Sequence, residues 1–394
     1  MTAAGADLPG ADPAGPPARG PGAASAARAE DPNGLPAETP LDLLDGAVPD
    51  PESLASEPGE LRARAADAAL PIGVRLEAFG DIADAEVGDT AFVRARNLER
   101  EFGLRQIYLK FEGGNPTGTQ KDRIAFAQVE DALRRGYGAV TVASCGNYGA
   151  AVALACSLAG LRCLVYIPEG YRTRRLEEIG GYGAEIVRVP GDYETSVRTS
   201  SERAEVEELY DANPGGANTA LQLRAYGEIA REIYDELRDA PAAVALPVSN
   251  GTTLAGVHRG FASLYRRGKT SRMPRIVAGS ASRRNPIVRS FLKELPRCTD
   301  LDPAAVKETE VSEPLINWHS SDGDAALRAI RATSGWAGDA SDREMLAHAK
   351  LLREREGLQV LPASTAGLAV LIDRHRREPL PADRYVAVLT GRRA

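Results

Sequence analysis

A chain of 394 residues, 43% hydrophobic and 26% charged, has ample material for a packed core and room for two or three folded units. Its formal charge of -7 argues against the basic stripe of a nucleic-acid partner. No apolar run reaches the roughly 18–20 residues of a membrane span, and the start lacks the basic-then-apolar pattern of a secretory leader, so a cytoplasmic protein with no membrane partner is expected. The four cysteines (Cys145, Cys156, Cys163 and Cys298) show no metal-site spacing and are too few for a disulfide scaffold, so no metal is expected.

Residues 1 to about 60 are rich in Ala, Pro, Gly and acidic residues and hold no aromatic residue; the first is Phe79. Such a stretch buries too little apolar surface to offset its ordering entropy, and is read as a disordered low-complexity extension. From about residue 89 short β runs alternate with helical stretches. Strands are expected at 107–111, 139–143, 164–167, 185–189, 242–248, 275–278 and 385–389. Helices are expected from near Lys121, and at 150–161, 172–179, 254–267, 323–333, 341–356 and 364–376. This alternation implies crossover connections and an α/β fold with a mostly parallel sheet covered on both faces. Ligands bind such sheets beyond the carboxyl ends of the strands.

Three strand ends carry candidate chemistry. The first is Asn115-Pro116-Thr117-Gly118-Thr119-Gln120-Lys121-Asp122-Arg123, which follows a strand and opens a helix. A cation at a helix N-terminus is opposed by the macrodipole, which favours the neutral amine that attacks an aldehyde. The second is Ser144-Cys145-Gly146-Asn147-Tyr148-Gly149. Its glycines let backbone approach a ligand, and its free N–H groups suit a substrate carboxylate; a plain strand–helix turn reads the same way. The third is Ser249-Asn250-Gly251-Thr252-Thr253. Hydroxyls and N–H groups at a helix start form a phosphate cradle, or merely a helix cap. Together, a candidate Schiff-base lysine, an anion-binding turn and a phosphate cradle suit a phosphorylated aldehyde cofactor and an amino-acid substrate.

These residues resemble the tryptophan-synthase-β type (fold type II) of pyridoxal-phosphate enzymes, and within it the threonine synthases. The resemblance runs from about residue 70 to the end. It rests on Gly88-Asp89-Thr90, Lys110-Phe111-Glu112, the Lys121 turn, Ser144 to Asn147, Ser249 to Thr253, and Leu389-Thr390-Gly391. It departs from the family pattern at Ala91-Phe92 (Pro-Leu), at Thr119-Gln120 (Ser-Phe), and at Ser249, Thr252 and Thr253 (Gly, Gly and Asn).

The resemblance implies two open parallel-sheet α/β domains with pyridoxal 5'-phosphate in the cleft between them. It assigns 61–130 and 225–394 to a large cofactor domain and 131–224 to a smaller mobile one. Lys121 would carry the cofactor and shuttle protons, and Asn147 would bond its phenolic oxygen. Ser249, Asn250, Gly251, Thr252 and Thr253 would hold its phosphate, and Thr390 would face its ring nitrogen. Ser144, Cys145, Gly146 and Thr119 would meet the substrate, with Asn218, Thr219 and Arg224 gripping a substrate phosphate. The implied reaction is O-phospho-L-homoserine and water to L-threonine and phosphate, in a homodimer. β-Replacement or β-elimination on O-phosphoserine or a related amino acid is the alternative.

Four histidines (His258, His319, His348 and His375) lie outside the three turns and read as surface or boundary residues. Trp318 and Trp336 read as core or lid packing.

Overall fold

The computed structural model describes residues 51–394, apart from Cys145, 172–174, Glu308 and Ala394, with side chains from Gly59 onward. The extension read as disordered falls mostly outside the described residues. Where the description begins, Pro51–Ala66 is helical and runs across the boundary expected near residue 60.

Among the described residues ten strands follow in chain order: β1 (Phe92–Arg94), β2 (Ile107–Phe111), β3 (Ala139–Ala143), β4 (Arg162–Pro168), β5 (Glu185–Val189), β6 (Tyr210–Asp211), β7 (Ala243–Pro247), β8 (Arg275–Ala281), β9 (Trp336–Ala340) and β10 (Tyr385–Leu389). They form a six-stranded sheet, β1-β2-β10-β7-β8-β9, and a four-stranded sheet, β5-β4-β3-β6. Every pairing is parallel except β1 with β2 at the edge. The protein is thus an α/β molecule with two open parallel sheets. All residues of β3, β7 and β10 are buried, as near-continuous apolar runs such as Tyr-Val-Ala-Val-Leu require when helices cover both faces.

Register sets the site. Tyr385 of β10 stands opposite Ile107 of β2 and Ala243 of β7, and Leu389 stands opposite Phe111. The carboxyl ends of these strands therefore share one level, and the residues just beyond them converge. Two connecting helices press together there. Thr219–Leu237 and Thr252–Arg266 meet through glycines: a Cβ on Gly260 would stand 2.4 Å from the Gly227 carbonyl, and one on Gly256 2.5 Å from Tyr226 Cβ. Only hydrogen at these positions allows the approach.

Expected strands and helices appear with shifted ends: the second turn's helix starts at Asn147 rather than 150, and the last one at Ala366 rather than 364. β1, β6 and β9 were not expected, nor were the helices Ile72–Glu86, Arg96–Phe102, Tyr193–Val206, Thr219–Leu237 and Pro286–Leu292. β9, Trp-Ala-Gly-Asp-Ala, lacks any apolar alternation; pairing with β8 makes it a strand. Trp336 packs against the buried cluster that holds Leu109, Val277 and Leu371, with the Arg275 guanidinium 4.7 Å from its ring. Among the described residues no helix is long and apolar enough to cross a membrane.

Candidate active site

The Lys121 turn is held from below by buried charges. Arg123 pairs with Glu112 at 2.5 Å and with Glu232 at 2.6 Å, while Lys110 pairs with Glu232 and donates to the Thr90 carbonyl at 2.5 Å. Thr90 donates to Glu112 at 2.7 Å, and Asn115 donates to the Glu112 carbonyl at 2.9 Å. Lys110, Glu112 and Asn115 are 0–1% exposed. Burial opposes ionising Glu232, but Arg123 and Lys110 outweigh it and hold its carboxyl at about 2. The short motifs Gly-Asp-Thr, Lys-x-Glu and Lys-Asp-Arg are thus three arms of one ionic cluster. Glu232, its fourth arm, stands alone in sequence and left no signal.

Within the turn, the Asp122 carboxylate accepts from the Thr117 backbone N–H at 3.0 Å and from its hydroxyl at 2.8 Å. Gly118 takes φ +85, and a Cβ there would meet the Arg392 side chain at 2.7 Å. Residues 390–392, just past β10, close the other side. Gln120 N donates to the Thr390 carbonyl at 3.0 Å, Arg392 N donates to the Gly118 carbonyl at 2.9 Å, and Thr119 bridges Gly391. These bonds seat the buried Thr390, just past β10, beside Lys121. The Thr119 hydroxyl accepts from Lys121 N at 3.2 Å, so here it caps the turn.

Lys121 opens the helix Lys121–Arg134 and extends its amine between two rings. Nζ lies 5.4 Å from the Tyr148 ring centroid and 6.0 Å from that of Tyr226. Burial lowers its pKa, the Asp322 carboxylate pulls it partly back, and the amine settles at about 8. Tyr148 is fixed: its hydroxyl donates to the Ala212 carbonyl at 2.6 Å and accepts from Gln128. Tyr226, fully buried, is different. Its hydroxyl approaches Thr253 but meets no hydrogen-bond geometry, and it stands without a partner among the described residues. Burial raises its pKa, so it stays a neutral potential donor.

The second turn precedes the helix Asn147–Ala159. The Ser144 hydroxyl accepts from Gly149 N at 2.9 Å and from Gly146 N at 3.4 Å, knitting the turn; Cys145 lies outside the described residues. The Asn147 carboxamide oxygen accepts from Arg175 Nε at 3.0 Å. In the third turn Gly251 adopts φ +94 in a space no Cβ could share, with Ala326 Cβ, the Asp322 carbonyl and Ile287 Cδ1 at 2.9–3.0 Å from where one would stand. The helix Thr252–Arg266 begins there with no side-chain cap. Two asparagines shape the turn: Asn285 donates to the Ser249 carbonyl at 3.0 Å, and Asn317 to the Asn250 side chain at 3.1 Å. Thr252 donates to Asp322 at 2.5 Å.

Asn218, Thr219 and Arg224 are not brought to this centre by the contacts they make. Asn218 donates to the Asp211 carbonyl at 2.6 Å and Thr219 to the Gly216 carbonyl at 2.8 Å, so both shape a helix start. Arg224 is exposed and lies near enough to Glu228 to lower that carboxyl's pKa against the effect of burial. Two residues along a helix are about 200° apart, so Arg224 points away from the face that Tyr226 turns to Lys121. Tyr148, Tyr226 and Asp322 were missed as site residues; only Tyr148 lay inside a recognised motif.

This is a parallel-sheet α/β centre in which a desolvated lysine, an uncapped helix N-terminus and an orphaned buried hydroxyl converge. That set fits a phosphorylated aldehyde: an amine to hold it, free N–H groups and a Cβ-free turn for its phosphate, and an unused donor. Comparison with known proteins agrees. The family model "Pyridoxal-phosphate dependent enzyme" matches residues 83–391. The threonine synthase of Methanocaldococcus jannaschii is 31% identical over 307 residues, covering 77% of this chain and 74% of its own. That of Synechocystis sp. is 31% identical over 309 residues, covering 77% and 76%. The structure of maize serine racemase superposes with a TM-score of 0.66 at 18% identity, covering 86% of this chain and 94% of the other, which shows the shared fold.

The chain belongs to the pyridoxal-phosphate-dependent enzymes, and pyridoxal 5'-phosphate is its cofactor. When bound, the cofactor supplies an electron sink for a bond broken at the substrate's α carbon. The residues supply the rest. An amine near pKa 8 releases and takes protons close to neutral pH, and the two tyrosine rings confine it. Thr390 adds a buried neutral hydroxyl beside the Lys121 turn.

Proposed function

We propose that this enzyme is a threonine-synthase-like lyase that converts O-phospho-L-homoserine and water to L-threonine and phosphate. In this reading Lys121 carries the cofactor and moves the α and β protons. Asn147 bonds the cofactor's phenolic oxygen, Ser249 to Thr253 hold its phosphate, and Thr390 faces its ring nitrogen. Ser144 to Gly146 take the substrate carboxylate. The observation that carries the proposal is the Lys121 amine, desolvated between Tyr148 and Tyr226 and set beside Asp322. The likeness to threonine synthases over three quarters of the chain supports the substrate. The segment 131–224, which contains the four-stranded sheet, would be the smaller mobile domain, and the assembly a homodimer.

The outward Arg224 supports a second reading, β-elimination or β-replacement on an amino acid whose leaving group needs no phosphate grip. Phosphate release and amino-acid product should be measured with O-phospho-L-homoserine, O-phosphoserine and unphosphorylated serine. Threonine formed from the first substrate is expected. Turnover of serine-type substrates alone would overturn the proposal in favour of the second reading.

A further inference from the structure

One cation reaches across both sheets into the site. Arg175 opens the helix Arg175–Gly181 after β4, and its side chain is 15% exposed. Its Nε donates to the Asn147 carboxamide oxygen at 3.0 Å, and a terminal nitrogen donates to the Thr117 carbonyl at 3.1 Å in the Lys121 turn. The remaining terminal nitrogen pairs with Glu178 one turn along its own helix. The guanidinium therefore ties the helix after β3 to the turn after β2.

A carboxamide has a donating end and an accepting end, whereas a guanidinium only donates. The end of Asn147 that faces Arg175 must then be its oxygen, and its NH2 must face the other way. We infer that Arg175 is a positioning residue: it fixes the Asn147 carboxamide so that the NH2 is presented to the cofactor's phenolic oxygen, in register with Lys121 through the Thr117 carbonyl. The inference rests on the cofactor reading of Asn147. Without Arg175 the carboxamide turns freely and offers the phenolic oxygen an acceptor part of the time.

The test reads the bound cofactor itself. A donated hydrogen bond lowers the proton affinity of the phenolic oxygen. Its loss should raise the apparent pKa of the visible absorption band by about one unit. The titration is run well above pH 7, since losing Arg175 also removes a charge that helps keep Asp122 ionised. Burial raises that carboxyl to about 6 against its Thr117 bonds and the nearby Arg175.

Holoenzyme carrying Arg175→Met should show the shift. Arg175→Gln, which can donate or accept, should show a smaller one, and Arg175→Lys, a pure donor, should return the band towards the wild type. In an Asn147→Ala background Arg175→Met should add nothing, because an effect routed through Asn147 has nothing left to act on. An unshifted band in Arg175→Met or Arg175→Gln, each shown to be folded by far-UV circular dichroism, overturns the inference. So does a full second shift in the Asn147→Ala background, which would mark a direct charge effect. A wild type that stays colourless with pyridoxal phosphate, or is labelled at another lysine, would instead refute the cofactor reading.

Discussion

An ordinary lysine amine has a pKa of 10.5, so at pH 7.5 about one molecule in a thousand is neutral. With Lys121 at about 8, about a quarter of the apoprotein carries the neutral, nucleophilic amine at that pH. The gain of more than two orders of magnitude comes chiefly from desolvation, and Asp322 opposes it. The apoprotein should therefore capture pyridoxal phosphate at a rate that climbs with pH and levels off above about 8. Replacing Asp322 by Asn removes the charge that stabilises the ammonium, so the midpoint should fall further. The assay is stopped-flow appearance of the visible band against pH, with borohydride reduction and peptide mapping to place the label on Lys121. A rate that is still climbing at pH 10 in the wild type, or a midpoint that rises in Asp322→Asn, would refute the reasoning.

Glu232→Ala leaves Arg123 paired with Glu112 alone and the buried Lys110 with only the Thr90 carbonyl, and should destabilise the fold by about 3–5 kcal/mol in chemical denaturation. Because the folded pKa of Glu232 lies below its unfolded value of 4.5, its contribution is complete above that value. It is lost as pH falls towards about 2, a loss that the Ala variant should lack. Tyr226→Phe removes a hydroxyl with no partner among the described residues, so apoprotein stability should be unchanged or slightly higher while cofactor affinity, read by fluorescence titration, falls. Gly251→Ala forces a Cβ into a left-handed turn and against Ala326 and Ile287, and should weaken cofactor binding tenfold or more in the same titration.

The apolar runs at 139–143, 242–248 and 385–389 read as strands, and those strands are buried because a parallel sheet covered on both faces leaves no polar side. The turns after them announced themselves through Gly, Asn, Ser and Thr, and one lysine stood at a helix start. That much is local chemistry, written in consecutive residues. What surrounds the amine is not. Tyr148, Tyr226 and Asp322 come from separate helices and loops, and only the close glycine packing of Thr219–Leu237 against Thr252–Arg266 turns Tyr226 inward. The same helix turns Arg224 out, because each residue rotates the side chain by about 100° and sequence spacing does not say which face meets the core. The sequence by itself determined the layered α/β fold, the lysine and the three turns. Only the tertiary structure decided which long-range neighbours desolvate that lysine, close the ionic cluster through Glu232 and aim Asn147 through Arg175, since such contacts depend on packing between elements far apart in the chain.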